Sequence, residues 1–198
     1  MTESSWYTWV AAGMALVVVV GLVAGLGLGS GYGAKATTNS TTPASGAPVY
    51  LYLTIAFNPV NGMDQYFPAN FSVPAHTLVH FVITSYDNGH NVVPSQYTQV
   101  LGTVGGVSTW SNSSMASPET AGSVPSAVIS HTFTMESGGY MLNVPIPMAT
   151  DGANPTTVSF GAYFNSTGTF SWQCMAPCDM GSMSTAGYMS GTVTVVSV

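Results

Sequence analysis

From residue 49 onward, apolar positions recur with the period of a β-strand. The segment 50–57 (Tyr-Leu-Tyr-Leu-Thr-Ile-Ala-Phe) is rich in aromatic and β-branched residues, and 77–84 (Thr-Leu-Val-His-Phe-Val-Ile-Thr) reads as a second strand closed by the turn residues Asp87-Asn-Gly89. The same signal predicts strands at 127–135, 156–164, 168–173 and 191–198. No long amphipathic helix competes with them. The stretch 97–125, rich in Gly, Ser and Thr, is too long for a hairpin loop and reads as a surface insertion. Turn-punctuated strands over this length predict an all-β sandwich or Greek-key barrel occupying 49–198.

The pattern at the N-terminus is different. Residues 6–28 form an uncharged apolar run, long enough as a helix to cross about 30 Å of hydrocarbon, and Trp6, Tyr7 and Trp9 stand where an interface would hold aromatic rings. A cleaved signal peptide is the rival reading, disfavoured by the run's length and by the lack of a positive n-region. We therefore expect a transmembrane anchor over 1–28. Residues 29–48, dominated by Gly, Ala, Ser and Thr, follow as a flexible stalk.

Composition narrows the function classes. Only 4% of the 198 residues are charged, and Lys35 is the sole Lys or Arg. Nucleic-acid binding is excluded on that ground, because neutralising phosphates needs clustered basic side chains. Beyond Lys35 the acidic groups are Asp64, Asp87, Glu119, Glu136, Asp151 and Asp179. With ordinary carboxyl pKa values near ~4, such a domain gains little charge in strong acid, so an acidic milieu is expected. Four sequons, at Asn39, Asn70, Asn112 and Asn165, favour a location outside the cell and are glycosylation candidates. The expected placement is a single-pass protein of the plasma membrane, in contact with the lipid bilayer, its C-terminal domain outside.

Chemistry concentrates near the C-terminus. Cys174 and Cys178 are the only cysteines; they follow the strand Thr169-Phe-Ser-Trp-Gln173 and precede a stretch with Met180, Met183 and Met189 and a last strand. Strand, ligand loop and closing strand make the copper-loop layout of cupredoxins. On Tyr50-Leu-Tyr-Leu-Thr-Ile-Ala-Phe57, Phe71-Ser-Val-Pro-Ala, Gly168-Thr-Phe-Ser-Trp-Gln-Cys174 and Met189-Ser-Gly-Thr-Val-Thr-Val, the chain from about residue 49 resembles the CuA-type cupredoxin domain in subunit II of haem–copper oxidases. The resemblance implies a cupredoxin-like Greek-key β-sandwich preceded by one N-terminal transmembrane helix. It also implies metal ligands: Cys174 and Cys178 match the bridging thiolates, Met189 the axial Met, and His131 the early His, with His90 as the competing candidate.

That ligand set is incomplete. Ser182 stands four after Cys178, where the family's loop His belongs, and no His follows His131. Neither a binuclear CuA centre nor an ordinary blue-copper site can be completed. A disulfide between Cys174 and Cys178 is the favoured state, since an unmetallated thiol pair outside the cell oxidises. The alternative is copper held by His131, Cys174, Cys178 and Met189, because thioethers and thiolates suit Cu(I). His76 and His80, four apart on one strand face, read as surface polar residues before they read as a metal site.

Enzyme motifs are absent: there is no Gly-x-Ser-x-Gly, no His-Glu-x-x-His, and the carboxylates are scattered. The resemblance then implies a non-catalytic, subunit II-like component of an archaeal, quinol-type respiratory terminal oxidase from an acidophile. In that role the chain binds no cofactor of its own and packs on the haem-bearing subunit I and other membrane subunits. An electron-transfer cupredoxin with an atypical copper site and a cell-surface structural or adhesion module are the alternatives.

Overall fold

The computed structural model describes residues 48–198. The expected anchor over 1–28, the stalk up to residue 47, and Asn39 lie outside the described residues. Among the described residues no helix is long and apolar enough to cross a membrane.

Strict alternation is the seed of the fold. In β4 (Leu78–Ser85) every second residue is buried, with Val79, Phe81 and Ile83 facing inward, and β9 (Thr156–Tyr163) repeats the pattern with Val158, Phe160 and Ala162. These strands pair antiparallel over their whole length, and β1 (Val49–Asn58) lies parallel on the other side of β4. With β2 (Met63–Phe67), β5 (Ser108–Ser111) and β6 (Glu119–Ala121) they form a six-stranded sheet in the order β2-β1-β4-β9-β5-β6. The second sheet runs β3-β11-β10-β7-β8, from β3 (Asn70–Pro74), β11 (Ser190–Val196), β10 (Gly168–Gln173), β7 (Ile129–Met135) and β8 (Leu142–Pro147). The chain passes between sheets after β2, β3, β6, β8 and β9, so the all-β sandwich expected from the strand pattern is present.

Aromatic side chains fill the space between the sheets. Phe81 stacks on Phe160 with centroids 4.7 Å apart, and Trp172 packs against Tyr66 at 4.8 Å and Phe133 at 5.1 Å. Such pairs add about 0.5–1.5 kcal/mol each beyond the area they bury. Trp172 also donates its indole N–H to the Ala69 carbonyl at 2.8 Å, which ties β10 to the turn before β3. Gly191 sits in the same place: a Cβ there would collide with the Ala69 carbonyl and stand 2.8 Å from Trp172 Nε1. Gly191→Ala should therefore cost about 1–3 kcal/mol through overpacking, read as an earlier midpoint in urea unfolding.

Two expectations are corrected here. The stretch 97–125 is more than a surface insertion, because it supplies β5 and β6 to the first sheet. It also covers the outer face of the second: Leu101 and Asn143 exchange backbone hydrogen bonds, and the Asn143 amide donates to the carbonyls of Tyr97 and Gln99. Both faces of β7 and β8 are buried as a result. Prolines 145 and 147 stand on β8, at the sheet's edge. The second correction concerns the His pair. His76 lies in a turn with φ of +54°, before β4 begins, so only His80 is on the strand, where it stacks on Tyr50 at 5.1 Å.

Candidate metal centre

β7 carries its core-facing residues at alternate positions, and His131 takes the place between Ile129 and Phe133. An imidazole on the inner face of a sandwich must find polar partners, since burying one unpaired costs several kcal/mol, about 2–7. Cys178 Sγ lies 3.1 Å from His131 Nδ1, and Cys174 Sγ lies 3.9 Å from it. The two sulfurs are 3.4 Å apart and not joined. On the other side of the ring, Asp87 Oδ2 stands 2.9 Å from Nε2. It is off the axis of the ring N–H, so Nε2 has a charged neighbour and no linear hydrogen bond.

The cysteine loop is held from three directions. Cys174 continues β10, and its N–H reaches the Met189 carbonyl at 2.8 Å just before β11. The Thr132 N–H donates to Cys174 Sγ at 3.3 Å, while the Thr132 hydroxyl accepts from the Met175 N–H at 2.7 Å. That hydroxyl is linked through Thr134 to Asn143, so a buried polar chain joins the loop to the covering segment. After Cys178, Asp179 caps the one-turn helix α1 (Met180–Ser184), accepting from the Ser182 N–H at 2.9 Å. The Ser182 hydroxyl bonds the same carboxylate. Ser182 is thus buried and held by the capping carboxylate.

These contacts set the charge state. Burial disfavours a charged His131, yet Asp87 and Cys174 outweigh it and raise its pKa to about 10. Asp87 stays below the usual carboxylate range: burial pushes it up, and the His131 contact and the Gly89 N–H pull it down further. Burial works against a Cys174 thiolate as well, but hydrogen bonds from Cys178, His131 and Thr132 hold it well below the ordinary thiol value. Cys178 moves the other way, raised by its hydrogen bond to Cys174 and by burial. These shifts favour negative charge on Cys174 over Cys178 and positive charge on His131.

The structure brings together Cys174, Cys178 and His131, whose ligand atoms lie within 4.8 Å of one another. Met189 is buried and adjoins the cluster through its backbone. His90 is exposed in the loop after β4, away from this group, whereas His131 lies within it. Asn70, Asn112 and Asn165 are at the surface or partly so. Asp64 and Asp87 gather at the outer side of His131 and were not foreseen as site residues. The signal for them was scarcity: with so few charges, a carboxylate placed next to strands should have prompted a search for its partner.

No family model matches the chain, and no curated protein does. Among solved structures it is similar to rusticyanin from Thiobacillus ferrooxidans, at 11% identity and a TM-score of 0.40, covering 77% of this chain and 79% of that one. A rusticyanin variant gives 14% and 0.41 over 77% and 80%. Auracyanin B gives 14% and 0.36 over 76% and 89%. These are distant likenesses of fold, and they assign the chain to no family.

Proposed function

We propose that the domain is an electron carrier binding one copper ion through Cys174, Cys178 and His131 Nδ1, with Met189 as a further donor. The observation that supports it is the convergence of two sulfurs and an imidazole nitrogen in one buried pocket, separated by 3.1, 3.4 and 3.9 Å. Donor atoms bonded to one ion at about 2.0–2.3 Å can be no farther apart than twice that length, and these three comply. Thiolate and imidazole donors suit copper, and bound copper would supply a one-electron couple. The chain's own residues keep the pocket ready. Thr132 and Met189 fix Cys174 through backbone hydrogen bonds, and Asp87 steadies the far side of the imidazole. Burial of Cys174 and His131 keeps bulk water from the donors.

The second reading keeps the oxidase subunit II role, with a Cys174–Cys178 disulfide and a structural part beside a haem subunit. It is favoured by Ser182, whose commitment to Asp179 leaves the resembled binuclear centre one His short. Anchoring by 1–28 and an extracytoplasmic domain belong to both readings. Two measurements on the full chain in detergent separate them: its mass as isolated without reductant, and metal analysis after reduction and addition of Cu(I). The carrier reading expects one copper per chain and an intense sulfur-to-copper charge-transfer band on oxidation, both lost in C174A/C178A. A copper-free chain whose mass lies two protons below that of the dithiol would sink it and leave the disulfide.

A further inference from the structure

The far side of His131 poses a separate problem. Asp64, from β2, and Asp87, from the loop after β4, converge with His131 Nε2 so that one ligand atom from each lies within 4.8 Å of the others. Both carboxylates are partly buried, the Asp87 side chain 18% exposed. Two like charges brought out of bulk water need compensation, and a single charge on His131 offsets only one of them. Elsewhere an Arg or Lys would serve; in this sequence the only one is Lys35, and none lies among the described residues. Asp179, the third carboxylate nearby, is already taken by its hydrogen bonds to Ser182.

We propose that Asp64, Asp87 and His131 Nε2 form a second cation site, for a divalent ion of the zinc(II), copper(II) or cobalt(II) kind, so that His131 is shared between two sites. Two observations carry it independently: the paired carboxylates, and a fully buried Nε2 that faces them without a linear hydrogen-bond partner. Imidazole with carboxylate oxygen selects borderline divalent ions, whereas Mg²⁺ and Ca²⁺ take oxygen ligands alone. The Asp87 Oδ2 to Nε2 separation of 2.9 Å fits two donors on one ion with bonds of about 2.0–2.2 Å. In the ion-free chain a proton on Nε2 faces Asp87, and the incoming ion displaces it to solvent. The exposed edge of Asp87 gives the entry path, and water completes the coordination.

This site does not depend on copper at the thiols, and cobalt(II) titration of the full chain in detergent tests the two apart. The unsubstituted chain should take two cobalt ions. D64N, which leaves Asp87 beside His131, should take one and keep the sulfur-to-cobalt charge-transfer band, whereas C174A/C178A should take one without that band. Because removing buried thiols can unfold the domain, the decisive arm is D64N, whose thermal melt checks that it is folded. A folded D64N that binds as many ions as the unsubstituted chain overturns the proposal. One ion without the band in the unsubstituted chain, lost in D64N, upholds this site and removes the thiolate one.

Discussion

Adding Cu(I) to the reduced full chain should raise its melting temperature by roughly 8–16 °C, and C174A/C178A should show no comparable rise. The size follows from linkage: an ion that binds only the folded state, supplied at a thousand times its Kd, stabilises by about 4.1 kcal/mol. For a domain of this length each kcal/mol moves the melting point by about 2–4 °C. Copper also binds thiols of the unfolded chain, which draws the shift toward the lower figure. The folded state keeps an advantage because its donors are already assembled. Cys174, Cys178 and His131 come from β10, the loop beyond it and β7, and only folding brings them within 4.8 Å. An unchanged melting curve with verified free thiols would count against a preformed copper site. Oxidising the pair before copper is added should abolish the shift.

Trp172→Ala should be the most damaging single core substitution beside the site, at about 3–5 kcal/mol. The side chain is 1% exposed and touches Tyr66 and Phe133, so truncation leaves a cavity between the sheets. It also orphans the buried Ala69 carbonyl, a penalty of about 1–3 kcal/mol in its own right. Against a total stability of roughly 5–15 kcal/mol, the loss leaves a substantial unfolded fraction. Trp172→Phe separates the two parts, since it keeps much of the ring and loses only the hydrogen bond. Urea unfolding of the three chains measures both. A loss below about 1 kcal/mol for Trp172→Ala would mean that β10, and with it Cys174, is not anchored by this residue.

Strands that alternate over seven or more residues were legible in the sequence. β4 and β9 bury every second residue, and the paired stripe is visible from either alone. The strands that escaped notice are short or broken by proline. β2 reads Met-Asp-Gln-Tyr-Phe, whose charge and amide mask the single buried residue, Tyr66. β8 carries Pro145 and Pro147, which argue against a strand unless it lies at an edge, and sequence does not say where edges fall. β5 owes its state to pairing with β9, a partner far along the chain, and β6 to pairing with β5. At the site, spacing exposed the thiols, and the resemblance pointed to His131. Asp87 looked like a turn residue because it is one: one oxygen accepts the Gly89 N–H, and only the fold shows the other facing His131. Asp64 and His131 are 67 positions apart, and no local pattern links them.

The outer margin of β8 has a consequence for solubility. A β-sheet ends in a row of N–H groups able to recruit another chain, and proteins commonly blunt it with lysine. This chain has one lysine in all, so it must protect its margin otherwise. Along β8 the outward N–H of Asn143 is bonded to Leu101, and the next outward positions, 145 and 147, are prolines with no N–H to offer. A second chain approaching that margin finds no donor to pair with. That margin thereby resists edge-to-edge pairing by backbone chemistry alone, with no charge that salt could screen.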